Sequence, residues 1–209
     1  MSIIKLNNRG VKNATAFGSI TGLGSMTFIK KLTASSSSTL SFVDGSDSVV
    51  LDDTYKEYVF TFKDIHPSAQ TNFTFQGNAV GGSGYNETIT SAVFDAFHRE
   101  NGTQAALAYP SSGDQENGTS FQRVNFDAPI HNDSDASLSG YLHLFNPSST
   151  VHVKHFIAQT NHMGFSSDPL SHHNFCSGYF NTTSAIDEIQ FKMDSGTIDA
   201  GDICLYGIA

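Results

Sequence analysis

Tyr55-Lys56-Glu57-Tyr58-Val59-Phe60-Thr61-Phe62-Lys63-Asp64-Ile65 is the stretch that decides the fold. Tyr58, Phe60 and Phe62 recur at every second residue, and Thr61 and Lys63 fall between them. Side chains of an extended chain alternate between two faces, so this spacing gives a strand with one apolar face and one polar face. Asp64-Ile65-His66-Pro67 closes it, because Pro has no N–H to give to a central ladder.

Similar signals spread outward in both directions. Residues 26–30 read as a strand, followed by a serine loop at 35–38 and a strand at 40–43 that ends in Asp44-Gly45, a hairpin-type turn. Phe73-Thr74-Phe75 starts another strand, and the glycine-rich stretch 77–84 reads as a flexible connection. In 88–98, Ile89, Val93, Phe94 and Phe97 have helical spacing, but the surrounding strand signals favour a strand there too. Further strands are expected at 121–126, 137–145, 151–160, 174–180, 186–193 and 202–208, with turns at Asn101-Gly102, Asn117-Gly118 and Ser195-Gly196. That makes nine to ten strands, no repeating βα unit and no internal repeat. The expected fold is all-β: an antiparallel β-sandwich, jelly-roll-like, spanning 26–209 as one domain.

Residues 1–25 look different. Two short apolar patches, Ile3-Ile4-x-Leu6 and Phe17-x-x-Ile20, stand among Asn, Gly, Ser and Thr. We expect an extended N-terminal docking arm, with Ile3, Ile4, Leu6, Phe17 and Ile20 as candidate assembly contacts that a neighbouring subunit would cover. An edge strand with its loop is the other reading of this stretch.

Composition narrows the function. The chain has 209 residues, 17 Phe, 7 Tyr, no Trp and a formal charge of −9. Charged residues are 15% and aromatics 11%, which is a globular composition and not a disordered one. The longest basic cluster is Lys30-Lys31, so neither nucleic acid nor an anionic membrane surface is an expected partner. No stretch approaches the ~20 apolar residues of a membrane-spanning helix. The N-terminus has no secretory h-region, so synthesis in a cytoplasm is expected. Seven Asn-x-Ser/Thr triplets then reflect turn-rich composition and not glycosylation. Cys176 and Cys204 are expected to be free buried thiols.

Reactive constellations are sparse. His152 and His155 cannot share a face of a strand. His172-His173 is assigned to a loop, where a metal is conceivable but solvated polar residues are the ordinary reading. The oxygen-rich stretch His131-Asn132-Asp133-Ser134-Asp135 lacks the glycine and distal Glu of a calcium loop and reads as a turn. There is no nucleophile elbow and no phosphate-cradling loop. The pairs Asp52-Asp53 and Asp187-Glu188 read as solvated faces. Tyr85, Tyr109, Tyr141 and Tyr179 are the aromatic rings available for stacking on a sugar. No catalytic residue, cofactor or metal is expected.

Several phrases carry a resemblance: IKLNNRGV at residues 4–11, YVFTFKDIHPS at 58–68, SGYLHLFNPSS at 139–149, VKHFI at 153–157 and GYFNTTSAIDEIQFKMDSGTIDAGDICLYGIA from residue 178 to the end. Together they resemble small structural, tail-fibre-like virion proteins of marine cyanophages and related tailed bacteriophages. None of the phrases is a chemical motif. The resemblance implies a non-enzymatic virion component, part of a tail fibre or another exterior appendage. It implies assembly with copies of itself, a trimer being the favoured form, and with other virion proteins. A capsid-decorating protein and a module that recognises host surface glycan are the alternatives.

Overall fold

In the computed structural model, which describes residues 26–164 and 168–208, the chain is all-β with no helix among the described residues. The expected arm, with Ile3, Ile4, Leu6, Phe17 and Ile20, lies outside them. The strands in chain order are β1 (Thr27–Thr33), β2 (Leu40–Val43), β3 (Glu57–Pro67), β4 (Phe73–Ala79), β5 (Ile89–Arg99), β6 (Ala105–Ala108) and β7 (Glu116–Gly118). They continue with β8 (Gln122–Arg123), β9 (Leu138–Phe145), β10 (Lys154–Gly164), β11 (Leu170–Phe180), β12 (Ile186–Met193) and β13 (Ile198–Ile208).

Two antiparallel sheets form a sandwich. The larger has nine strands in the order β1-β13-β3-β9-β10-β11-β5-β6, with β7 also pairing β5. The smaller has the order β2-β12-β4-β8. The deciding stretch is β3, between β13 and β9 at the heart of the larger sheet. Its Tyr58, Phe60 and Phe62 point inward and are buried. The smaller sheet answers with Phe42, Phe73, Phe75 and Phe191. Phe191 is the hub: its ring centre is 5.4 Å from those of Phe60 and Phe62, and it stacks on Phe73 at 5.8 Å. Burying each such ring stabilises by about 1.5–3 kcal/mol, and each favourable aromatic pair adds about 0.5–1.5 kcal/mol.

A bulge bends β3 near its end. The registers of β3 with β13 and with β9 both slip there. Asp64 takes a left-handed conformation (φ 51°), and Gly201 opposite has φ 115°. A Cβ on Gly201 would sit 2.6 Å from the Asp64 carbonyl oxygen, so that position admits only glycine.

The sequence reading needs several corrections. There are thirteen strands among the described residues, not nine or ten. Asp44-Gly45 is not a hairpin turn: β2 pairs with β12 in the smaller sheet, whereas β3 belongs to the larger. Gly77 is not in a flexible connection but inside β4, where its missing side chain makes room for the Phe180 ring, 3.0 Å from where a Cβ would stand. Residues 121–126 hold only the two-residue β8. β10 begins at Lys154, after the bend at 151–153, and β11 begins at Leu170, so His172 and His173 lie in a strand and not in a loop. Residues 88–98 are a strand, as expected.

Candidate functional site

Two places on the larger sheet stand out, one on each face. They share β10, β11 and β5, whose side chains alternate in register: Ala158 faces Cys176 across β10–β11, and Cys176 faces Val93 across β11–β5.

On the inner face, the end of these strands carries polar side chains where a core would be apolar. Thr160, His162, His172, Asn174 and Asp95 are all at most 1% exposed. The layer facing them is not a strand but the irregular segment 124–130, which follows β8. Only part of its backbone is paired with other backbone: the Val124 N–H donates to the Phe73 carbonyl (3.0 Å) and the Ile130 N–H to the Thr71 carbonyl (2.9 Å), and side chains satisfy several of the remaining groups. Thr160 donates to the Val124 carbonyl (2.6 Å), and the Phe126 N–H donates to Asn174 (3.2 Å). His162 Nε2 lies 3.1 Å from the Ala128 carbonyl, and Asn174 Nδ2 lies 3.1 Å from His162 Nδ1. A carbonyl only accepts and an amide nitrogen only donates, so His162 is the neutral tautomer with its hydrogen on Nε2. Its pKa is held down at about 3, mainly by burial and to a lesser degree by the neighbouring His172, whose ring stacks on it at 5.2 Å.

His172 Nε2 pairs with Asp95 Oδ2. The pair is not fully satisfied: Asp95 Oδ1 and His172 Nδ1 are buried without a hydrogen-bond partner. Asp127, an exposed residue in left-handed conformation (φ 65°), brings a carboxylate to the same place. One ligand atom each from Asp95, Asp127 and His172 lie within 4.8 Å of one another.

The outer face is different in kind. Along β9, β10, β11 and β5, the outward-pointing residues from Ser139 to Phe145, His155 to Met163, Ser171 to Tyr179 and Thr90 to His98 include no Asp, Glu, Lys or Arg. Instead they form aromatic ladders. His173 stacks on Phe175, and Phe175 on Phe94, each at 4.5 Å. Tyr141 donates to Gln159 (2.8 Å), which in turn donates to His173 (2.8 Å). Ile157 and Phe94 remain 47% and 46% exposed, and a depression of about 510 Å³ opens beside Ile157, Phe145 and Tyr179.

The other sequence candidates do not converge. Cys176 points into the core and Cys204 does not, and both thiols are free. Burial pushes the Cys176 thiol well above its ordinary range. Asp133 and Asp135 belong to a turn, closed by the Ala136 N–H donating to the Asp133 carbonyl (2.8 Å). Tyr141 and Tyr179 lie on the uncharged face, but Tyr109 is bound to Asp114 (2.7 Å) and Tyr85 packs near Phe121. A cleft of about 660 Å³ beside Phe121 is polar, yet its ionic groups are already engaged. Arg123 pairs with Asp194 at 2.8 Å, and Lys192 lies 4.1 Å over the Phe121 ring.

Sequence reasoning singled out members of both places, His172 in one and Tyr141 and Tyr179 in the other, but assembled neither. The outer face could have been found by noting that the polar positions of four strands are uncharged. The inner cluster could not, because its members are joined only by strand register. Comparison with family models, with curated proteins and with solved structures finds no match, so both places are read from their own chemistry.

Proposed function

We propose that this chain is a non-enzymatic building block of a bacteriophage virion that assembles with copies of itself through the uncharged outer face of its larger sheet. The supporting observation is that face. Interface cores are depleted in charge and enriched in aromatic rings, and ordinary surfaces are not. With a net charge of −9, a contact face without carboxylates adds no close-range repulsion between copies.

Its size fits as well. Four strands spaced ~4.8 Å apart, each with about nine residues rising ~3.4 Å, span on the order of 600 Å². Two such faces together reach the lower range of specific interfaces, which begins at about 1,200 Å². A second copy is the occupant we choose. A face without charge offers nothing to select an ionic partner.

The strand path supports a jelly-roll reading of the sandwich. β1 pairs with β13, β2 with β12, β3 with β9 and β4 with β8, as in one long antiparallel ribbon wrapped across two sheets. On that path β5–β7 and β10–β11 are additions that widen the larger sheet, and they supply most of the uncharged face. The resemblance to tail-fibre-like proteins favours three copies about an axis, with the arm at 1–25 docking them on the particle.

Light scattering after size exclusion tests this. The expected mass is three times the 22.5 kDa of one chain, returning to one chain in the Ile157→Glu variant. A native protein that stays monomeric at high micromolar concentration overturns the reading. If that monomer binds host-envelope glycan in a manner sensitive to Tyr141 and Tyr179, recognition replaces assembly. Deleting residues 1–24 is expected to abolish incorporation into particles and to leave the sandwich folded.

A further inference from the structure

We propose that Asp95, His172 and Asp127 form a binding site for one zinc-type divalent cation, which clamps the irregular segment 124–130 to the inner face of the larger sheet. The three residues come from three different places, β5, β11 and the segment itself, yet their ligand atoms lie within 4.8 Å of one another. Two of the three side chains are carboxylates, which repel each other unless a positive charge lies between them.

A plain buried ion pair between His172 and Asp95 is the competing account. It leaves Asp95 Oδ1 buried without a hydrogen-bond partner, which is unfavourable for a charged group. A protonated His172 would attract Asp127 as well, yet Asp95 Oδ1 still has no partner. A dication engages the spare Asp95 oxygen and balances the charges of the two carboxylates. It does not account for the unpartnered His172 Nδ1.

The donor set selects the metal class. One imidazole nitrogen and two carboxylate oxygens suit zinc and its late first-row neighbours, whereas calcium and magnesium prefer oxygen alone. Three protein ligands leave a fourth tetrahedral position for water. Asp127 is exposed, so the cation has an entry path and the water has access to solvent. The surrounding shell is ordered: His162 stacks on His172, and the Asn174 amide lies 3.4 Å from the His172 carbonyl. No catalytic role is implied, because a cation held this way ties loop to sheet.

The test uses the full chain, stripped with a chelator and returned to chelator-free buffer. Zinc chloride is then titrated by calorimetry and by thermal melting. One equivalent is expected to bind and raise the melting temperature, with calcium and magnesium unable to compete. Asp127→Asn should bind zinc at least tenfold more weakly while its metal-free melting stays at the native value. That exposed position makes the variant safe for folding where Asp95 and His172 variants are not. His155→Ala, on the outer face, should bind like the native chain. The proposal is overturned if no zinc binds, if Asp127→Asn binds it unchanged, or if the uptake is lost in His155→Ala instead.

Discussion

The two ends of this sandwich solve the same problem with opposite chemistry. Under the smaller sheet, the inner face of the larger one is covered by strands, and every facing pair is apolar: Phe42 on Phe60, Phe62 on Phe73, Phe75 on Phe156. Under segment 124–130, the same face is covered by chain that has only isolated bridges and no continuous ladder, and the inward residues become Thr160, His162, His172, Asn174 and Asp95. A strand brings its own hydrogen bonds and needs only greasy contact. An irregular segment leaves some N–H and C=O groups without backbone partners, here the Val124 and Ala128 carbonyls and the Phe126 N–H, and the sheet beneath supplies side chains for them. The composition of a buried face is therefore set by the regularity of what lies on it.

The sharpest way to break this contrast is at the aromatic hub. Phe191→Ala removes a ring that touches Phe42, Phe60, Phe62, Phe73 and Phe75. A loss of about 3–5 kcal/mol is expected in denaturant unfolding, as for large core truncations that leave a cavity. A loss below 1 kcal/mol would mean that the aromatic end is loosely packed and the comparison misdrawn.

The polar end should instead be the acid-sensitive one. His162 is buried neutral, with a pKa of about 3 in the folded chain against an ordinary 6.5. As pH falls below 6.5 the unfolded chain takes up a proton that the folded chain refuses until about pH 3. Stability is therefore lost across that window, by up to about 1.4 kcal/mol per pH unit from this one group. Measured with a chelator present, to remove any contribution of bound metal, the pH slope of the unfolding free energy should flatten in His162→Gln. An equal slope in that variant would place the acid sensitivity elsewhere.

A smaller effect separates hydrogen bonding from burial. Asn174→Ala strips the acceptor from the Phe126 N–H and the donor from His162 Nδ1. Leaving both buried and unpaired should cost about 1–3 kcal/mol. Hydrogen exchange should show the loss concentrated at the amides of 124–130, with the amides of β3 and β12 unchanged. Uniform loss of protection would mean that the segment and the aromatic core open together.

What could be read from the sequence divides along the same line. β3, β9 and β12 were legible because Tyr58/Phe60/Phe62, Leu142/Leu144 and Ile189/Phe191/Met193 face other strands and so alternate with polar neighbours. The start of β11 was not. Leu170-Ser171-His172-His173-Asn174 has polar residues at inward and outward positions alike, so its period of two is invisible and it reads as a loop. Gly77 failed for a related reason: as a member of β4 it signals a ring lying overhead, whereas in sequence it belongs to a glycine-rich run. Hydrophobic alternation reports a strand only where the covering layer is itself regular. The Asp95–His172–Asp127 convergence depends on the register of β5 with β11 and on the course of 124–130, neither of which local pattern encodes.

Ile157→Glu has the smallest expected effect on the fold, and it marks the limit of the contrast between the two ends. Ile157 points outward from β10, between the buried Phe156 and Ala158, and is 47% exposed. A charge there meets water in the separated chain, so unfolding free energy should change by no more than about 0.5 kcal/mol. Neither the aromatic nor the polar interior should register it. The association proposed for the outer face should respond instead, because a carboxylate added to each copy must be desolvated against its symmetry mate. Equilibrium sedimentation should give the one-chain mass for the variant and the assembled mass for the native protein. If the variant assembles like the native protein, the uncharged face is not the contact. If it unfolds, the outer residues of β10 belong to the interior after all.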